Sequence, residues 1–204
     1  MAENICGLIY DPVFADHVTG AGHPEQPKRA TYTYEALQDA GFTEKCVPLP
    51  ANFCKEESLA LVHHPEYLKI AKKDTKSGRS TLSTGDTQIC EDSWGISLRA
   101  TGGLLHALDQ IFAGKMDRAF SLSRPPGHHA TPSKGMGFCL FNHIAIAARY
   151  AQKEHQVGKV LIVDWDVHHG NGTQDTFYED ESVFFFSTHQ YPWYPGTGSA
   201  DETG

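Results

Sequence analysis

The sequence has no apolar run approaching the roughly 20 residues needed to cross a bilayer, so no helical membrane span is expected. Its first residues, Met1-Ala2-Glu3-Asn4, carry no basic segment followed by a long apolar stretch, and a secretory signal peptide is not expected either. The five cysteines, Cys6, Cys46, Cys54, Cys90 and Cys139, contain no Cys-x-x-Cys pair and are odd in number. That argues for reduced thiols in a cytoplasmic setting, or a nuclear one in a eukaryote, rather than a disulfide framework. Positive charge is scarce: the net charge is −8 and no basic cluster is longer than Lys72-Lys73. Direct binding to a nucleic-acid backbone is therefore disfavoured. The chain also lacks internal repeats and low-complexity segments.

What is present suits one α/β domain, or a piece of a larger one. The 204 residues are 40% hydrophobic and 21% charged, enough for a real core. Short apolar or β-branched runs alternate with longer helical stretches, which predicts a mostly parallel sheet covered by helices. Strands are expected over 5–10, 118–123, 159–164 and 182–187. Helices are expected over 25–40, from Pro65 to about 71, over 91–112, from an Asn142 N-cap to about 154, and over 172–178. Residues 74–91 are polar and aperiodic and read as a long surface loop.

Twelve histidines are present, and several cluster at strand ends. The stretch Val160-Leu-Ile-Val-Asp-Trp-Asp-Val-His-His-Gly-Asn-Gly172 runs an apolar strand, read as buried, into acidic and imidazole side chains. Residues two apart on extended backbone share a face, so Asp164, Asp166 and His168 project together while Trp165 and Val167 go to the other side. An oxygen and a nitrogen donor at that spacing suit zinc. The bland alternative is an acidic turn capping a strand, but buried carboxylates cost several kcal/mol unless paired or ligating. A second strand ends in Arg124-Pro-Pro-Gly-His-His-Ala130, and a third in Ser187-Thr188-His189. Sites in open parallel sheets gather at the carboxyl ends of strands. The tandem imidazoles His128 and His129 titrate in the range needed to take and return a proton, and a two- or three-ligand zinc leaves room for water and a carbonyl oxygen. Together these features point to hydrolysis, with Asp164 orienting a histidine from behind.

Four motifs in order, Arg124-Pro-Pro-Gly-His-His-Ala, Gly137-Phe-Cys-Leu-Phe-Asn-His, Asp164-Trp-Asp-Val-His-His-Gly-Asn-Gly-Thr and Tyr194-Pro-Gly-Thr-Gly, resemble those of the zinc-dependent histone deacetylase superfamily. Gly22-His-Pro-Glu and Val62-His-His-Pro-Glu-Tyr are also similar to it, so the resemblance covers essentially the whole chain. It implies a three-layer arginase/deacetylase-type α/β fold and hydrolysis of acetyl-lysine or a related acetylated amine. By that resemblance Asp166 and His168 match zinc ligands, His129 the general acid/base, and His128 its partner paired with Asp164. Asn171 stands where some subfamilies have aspartate, as in the class II branch and its bacterial relatives, and a neutral partner implies a less readily protonated His129. Gly137, Phe138 and Tyr194 match the walls of the substrate channel, and Asp86 the rim aspartate that holds the substrate backbone. Asp164, Asp166, His168, Ser187 and Thr188 resemble a potassium site, and Phe177, Asp180 and Val183 a second.

The family's third zinc ligand is an aspartate and its oxyanion donor a tyrosine, or a histidine in weakly active members; both are expected after Gly204. Residues 1–204 are thus expected to form a single deacetylase domain lacking the C-terminal part of the fold, and to be poorly active alone. Three alternatives remain: an acetylpolyamine amidohydrolase, a pseudoenzyme or binding module that grips acetyl-lysine without cleaving it, and, less favoured, binuclear manganese chemistry. No feature of the sequence names an oligomeric state.

Overall fold

A computed structural model describes residues 4–204. The first strand, β1 (Cys6–Ile9), is followed by helix α1 (Lys28–Asp39) and then strand β2 (Cys46–Leu49). Helices α2 (Glu56–Leu59), α3 (Pro65–Lys76) and α4 (Ser93–Phe112) come next, and strand β3 (Arg118–Ser121) completes the first sheet. Helix α5 (His143–His155), strand β4 (Val160–Asp164), helix α6 (Asn171–Phe177) and strand β5 (Val183–Ser187) form the second half. Every strand pair is parallel, as the alternation of elements predicts. The strands do not form one sheet: the order is β2-β1-β3 in one and β4-β5 in the other, and β3 does not bond to β4.

Local chemistry sets the element ends. Asn142 caps α5, its side chain accepting the Ala145 N–H, and is fully buried. Pro65 opens α3 and Gly41 follows α1 with φ +67°, a conformation that glycine adopts without a Cβ clash. Three expectations need correction. Helix α3 continues to Lys76, because its polar end buries Asp74 and Thr75 against the following loop rather than fraying. Residues 77–91 form the expected irregular loop, but it does not lie wholly at the surface: Leu82, Thr87 and Ile89 are buried, and the Thr87 hydroxyl donates to the Cys139 carbonyl at 3.1 Å. Strand β2 and the one-turn α2 went unpredicted, since four residues each, with Pro48 inside the strand and Pro50 directly after it, show no period.

The core has two parts. One lies between α4 and the odd-numbered face of the first sheet, around Ile9, Leu49, Ile96 and Ala100. The larger joins α3, α4 and α5 to the inner face of the second sheet through Tyr67, Leu105, Phe141, Ile146, Ile162 and Val183. The expectation that β4 is buried also fails, because only its inner face is covered. Leu161 (62% exposed) and Phe184 (67%) pair across the outer face, with Val163 and Phe186 beside them. No described element packs over these four side chains.

A buried ion pair ties the N-terminal loop to the loop after β3. Arg124 donates bidentately to Glu25 at 2.6 and 2.7 Å and also to the carbonyls of Phe14 and His17. Both side chains are almost wholly buried. Two buried histidines hold the same loop elsewhere. His143 bonds the Pro125 carbonyl through Nε2 at 3.2 Å and the Thr101 hydroxyl through Nδ1 at 2.8 Å. His63 donates from Nδ1 to the Thr131 carbonyl and accepts the Asn142 N–H at Nε2.

Removing one partner of a buried pair leaves an uncompensated charge, so Glu25→Ala is expected to destabilise the chain by about 3–5 kcal/mol in denaturant unfolding. A cost below about 1 kcal/mol would contradict this role. Burial also lowers the pKa of His17 and His143 to about 4 and of His63 to about 3. An unfolded histidine titrates near about 6.5. Unfolding therefore takes up protons as the pH falls from about 6.5 towards these folded values, and stability present above that window is lost within it. Calorimetry in a pH series should show a Tm that these groups leave flat above pH 7 and that drops between about pH 6.5 and 4. A Tm that holds or rises on acidification would contradict it.

Candidate active site

The carboxyl ends of β3 and β4 bring the histidine loop and the Asp-x-Asp-x-His segment together. His128 donates from Nδ1 to Asp164 Oδ2 at 2.8 Å, and His129 from Nδ1 to Asn171 Oδ1 at 2.9 Å. Each of these bonds fixes the tautomer and leaves Nε2 with its lone pair free. The two rings lie 4.0 Å apart between centroids, and His168 lies 6.0 Å from His129. Burial alone would raise the Asp164 pKa, but the hydrogen bond and charge of His128 and the Asp166 N–H outweigh it, and the carboxyl sits below its ordinary value. His129 is lowered to about 4, first by burial and then by the charge of His128. The bond to Asn171 pulls the other way.

Beyond Asp164 the backbone bends, the Asp164 and Asp166 carboxylates each accepting the N–H two residues on, and Val167, expected on the other side, lines the cavity together with Asp166 and His168. Trp165 is 83% exposed on the outer side, while Asp166 and His168 face the cavity. Their side chains are half exposed, and His168 Nδ1 stands 3.3 Å from Asp166 Oδ1. Two donors each about 2.0–2.1 Å from one tetrahedral zinc ion stand about 3.3 Å apart, so this pair has the separation the ion requires. Among the described residues no group of three His, Cys, Asp or Glu side chains converges as a metal site. Asp166 and His168 thus form a close carboxylate–imidazole pair that no third such group joins among the described residues.

These groups line a cavity of about 570 Å³, within the range of small-molecule sites. Its walls include Asp86, His128, His129, Gly137, Phe138, Asp166, His168 and Tyr194. Gly137 and Phe138 both have positive φ, +56° and +69°, which is rare for phenylalanine and aims its ring inward at a small energetic cost. A Cβ at Gly137 would run into the His129 ring, so only glycine fits. Tyr194 lies edge-on to His129 with centroids 5.0 Å apart. Asp86 is drawn to this wall as well, accepting the Gly137 N–H at 2.7 Å and the Tyr194 hydroxyl at 3.2 Å.

The other positions singled out from sequence lie at the ends of the second sheet. Asp164 and Ser187 are in register, and Thr188 donates its N–H to the Asp164 carbonyl at 3.0 Å. The Ser187 hydroxyl bonds His189 Nδ1 at 2.8 Å. Phe177, Asp180 and Val183 share one turn through successive backbone hydrogen bonds. Sequence reasoning assigned no role to Glu25 or Arg29, which also line the cavity, or to His23, whose ring meets Phe138 edge-on at 4.5 Å. Their signal was the Gly22-His-Pro-Glu segment, noted as a motif without a chemistry attached. A larger surface groove of about 700 Å³ beside Phe53, His106 and Lys153 lies away from all of these groups.

Comparison with known proteins agrees with this geometry. Residues 23–204 match the histone deacetylase domain model. The chain is 38% identical over 96% of its length to histone deacetylase 5 of Arabidopsis thaliana, covering 32% of that protein. It is also 38% identical over 82% of its length to the polyamine deacetylase HDAC10 of Danio rerio, covering 26% of that protein. The crystal structure of the HDA15 HD domain superimposes with a TM-score of 0.92 at 37% identity, over 98% of this chain and 59% of that one. The chain thus spans under two thirds of the length of each of these relatives. With its α/β fold, parallel strands and paired histidine loop, it belongs to the histone deacetylase family.

Proposed function

We propose that this chain contributes the proton-transfer pair and two of the zinc ligands of a deacetylase that hydrolyses acetyl-lysine or a related acetylated amine. The observation that carries this reading is the joint placement, around one cavity, of two tautomer-fixed histidines and an Asp166–His168 pair at zinc-ligand separation. A zinc ion held there would supply Lewis-acid polarisation of the substrate carbonyl and of the attacking water. His129 takes a proton from that water at its free Nε2 and returns one to the leaving amine. Its depressed pKa keeps it unprotonated at neutral pH, ready to act as base. His128, tied to the Asp164 carboxylate, sets the electrostatics beside it and is the second candidate for the proton. Phe138 and Tyr194 wall the passage for a methylene stem, and Asp86 at its mouth is the acceptor for substrate N–H groups.

The third zinc ligand and the oxyanion donor are proposed to be supplied from outside residues 1–204, as an aspartate and a tyrosine or histidine. Stabilisation worth roughly 3 kcal/mol or more is then missing from this polypeptide alone. Potassium at the Asp164, Ser187 and Thr188 strand ends belongs to the same proposal. A second reading, cleavage of acetylated polyamines, is favoured by the similarity to the polyamine deacetylase. The ratio of kcat/KM for an N-acetylated polyamine to that for an acetyl-lysine peptide separates the two.

Equilibrium dialysis of the 204-residue chain against zinc is expected to show one site that Asp166→Asn and His168→Ala each weaken at least tenfold, with slow or no turnover of an acetyl-lysine peptide. Undiminished binding in both variants would overturn the ligand assignment, and robust turnover would overturn the incompleteness. Any turnover that is present should fall about 10²–10⁴-fold in His129→Ala.

A further inference from the structure

The first sheet carries a second group of reactive side chains, at the end opposite the candidate active site. Strands β1 and β2 are parallel, with Cys6 directly opposite Cys46, and on the other side of β1 the register places Arg118 opposite Cys6. Cys46, Cys6 and Arg118 therefore form one row across three strands and share one face. Neighbouring strands lie about 4.8 Å apart, inside the roughly 4.4–6.8 Å range of Cα separations that a disulfide spans. Both thiols are free and half-buried, unlike Cys139, which is fully buried. The row is also coupled electrostatically: burial first, and then the charge of Cys6, raise the Cys46 pKa, and the Arg118 guanidinium opposes that rise.

The same face is accessible. Leu8, Tyr10, Tyr34, Cys46 and Pro48 line a cavity of about 240 Å³, with Tyr10 and Tyr34 stacked at 3.9 Å as one wall. A small reagent thus has a route to the Cys46 sulfur that does not pass through the catalytic cavity. Exchange thus rests on the facing register of the two thiols and on this access, with the Arg118 guanidinium favouring the thiolate against the net rise.

We infer that Cys6 and Cys46 form a reversible dithiol–disulfide pair, closed by exchange with a low-molecular-weight disulfide. In the first step one cysteine thiolate attacks a sulfur of the reagent, forming a mixed disulfide and expelling one reagent thiolate. The second cysteine, losing its proton to solvent, then attacks the protein sulfur of that mixed disulfide and expels the other reagent thiolate. The two protein thiols are oxidised to one disulfide and the reagent disulfide is reduced to two thiols. The bond closes the segment from β1 through α1 to β2, fixing the edge of the first sheet.

The test uses the 204-residue chain incubated with oxidised glutathione under native conditions, then alkylated, digested with trypsin and analysed by mass spectrometry. The expected product joins the peptide carrying Cys6 to residues 46–55, and fragmentation between Cys46 and Cys54 locates the bond at Cys46. It should persist in Cys54→Ser, and in Cys6→Ser it should be replaced by a stable glutathione adduct on Cys46. The oxidised chain should also melt at a higher temperature than the reduced chain. A bond to Cys54, separate glutathione adducts on Cys6 and Cys46 without closure, or two unmodified thiols would each overturn the inference, and none of these readouts depends on a variant folding.

Discussion

The Arg124–Glu25 pair is the constraint on which the rest of this site depends. Two opposite charges taken out of water are stable only when the geometry is tight and the remaining donors are used. Here both carboxylate oxygens accept from the guanidinium, and the other nitrogen and its neighbour reach two backbone carbonyls. The N-terminal loop and the Pro-Pro-Gly turn are thereby locked to each other, and the turn delivers His128 and His129. Buried His143, at the start of α5, and His63, between α2 and α3, hold the flanks of that turn. Two paired histidines on a loop thus acquire the rigidity of the core.

The second half of the site follows from strand geometry. Strand β4 points its inner side chains at α5 and its outer ones at open solvent, and beyond its end the chain bends so that Asp166, Val167 and His168 all reach the cavity. Asp164 is tied to His128, and Asp166 and His168 follow at the cavity, where Asp166 Oδ1 accepts the His168 N–H and stands 3.3 Å from its Nδ1. The separation into two sheets and the uncovered Leu161, Val163, Phe184 and Phe186 accompany this arrangement. An apolar face of that kind is an association surface until something covers it.

Much of this was legible before any coordinates. Helix α4 announced itself by Ala100, Leu104, Leu105 and Leu108 at helical spacing, and α5 by the Asn142 cap. The pairing of His128 with Asp164 was inferred from motif resemblance, and the side-by-side placement of Asp166 and His168 from period-two alternation alone. What stayed hidden has physical reasons. Glu25 meets Arg124 across 99 residues of sequence, a contact that no local period encodes. Buried structural histidines such as His63 and His143 look in sequence the same as catalytic ones. A four-residue strand with a proline in it, β2, carries too little pattern to be told from a loop. The low pKa of His129 owes most to burial, which depends on the packed cavity wall and leaves no trace in the local sequence.

The central claim is that Asp166 and His168 jointly hold a zinc ion beside the two fixed histidines. X-ray absorption at the zinc edge of the metal-loaded chain tests it most directly. The account predicts a first shell of oxygen and nitrogen only, at about 2.0–2.1 Å, with outer-shell scattering from one imidazole that disappears in His168→Ala. A sulfur shell near about 2.3 Å, or an imidazole signal unchanged in that variant, would contradict it.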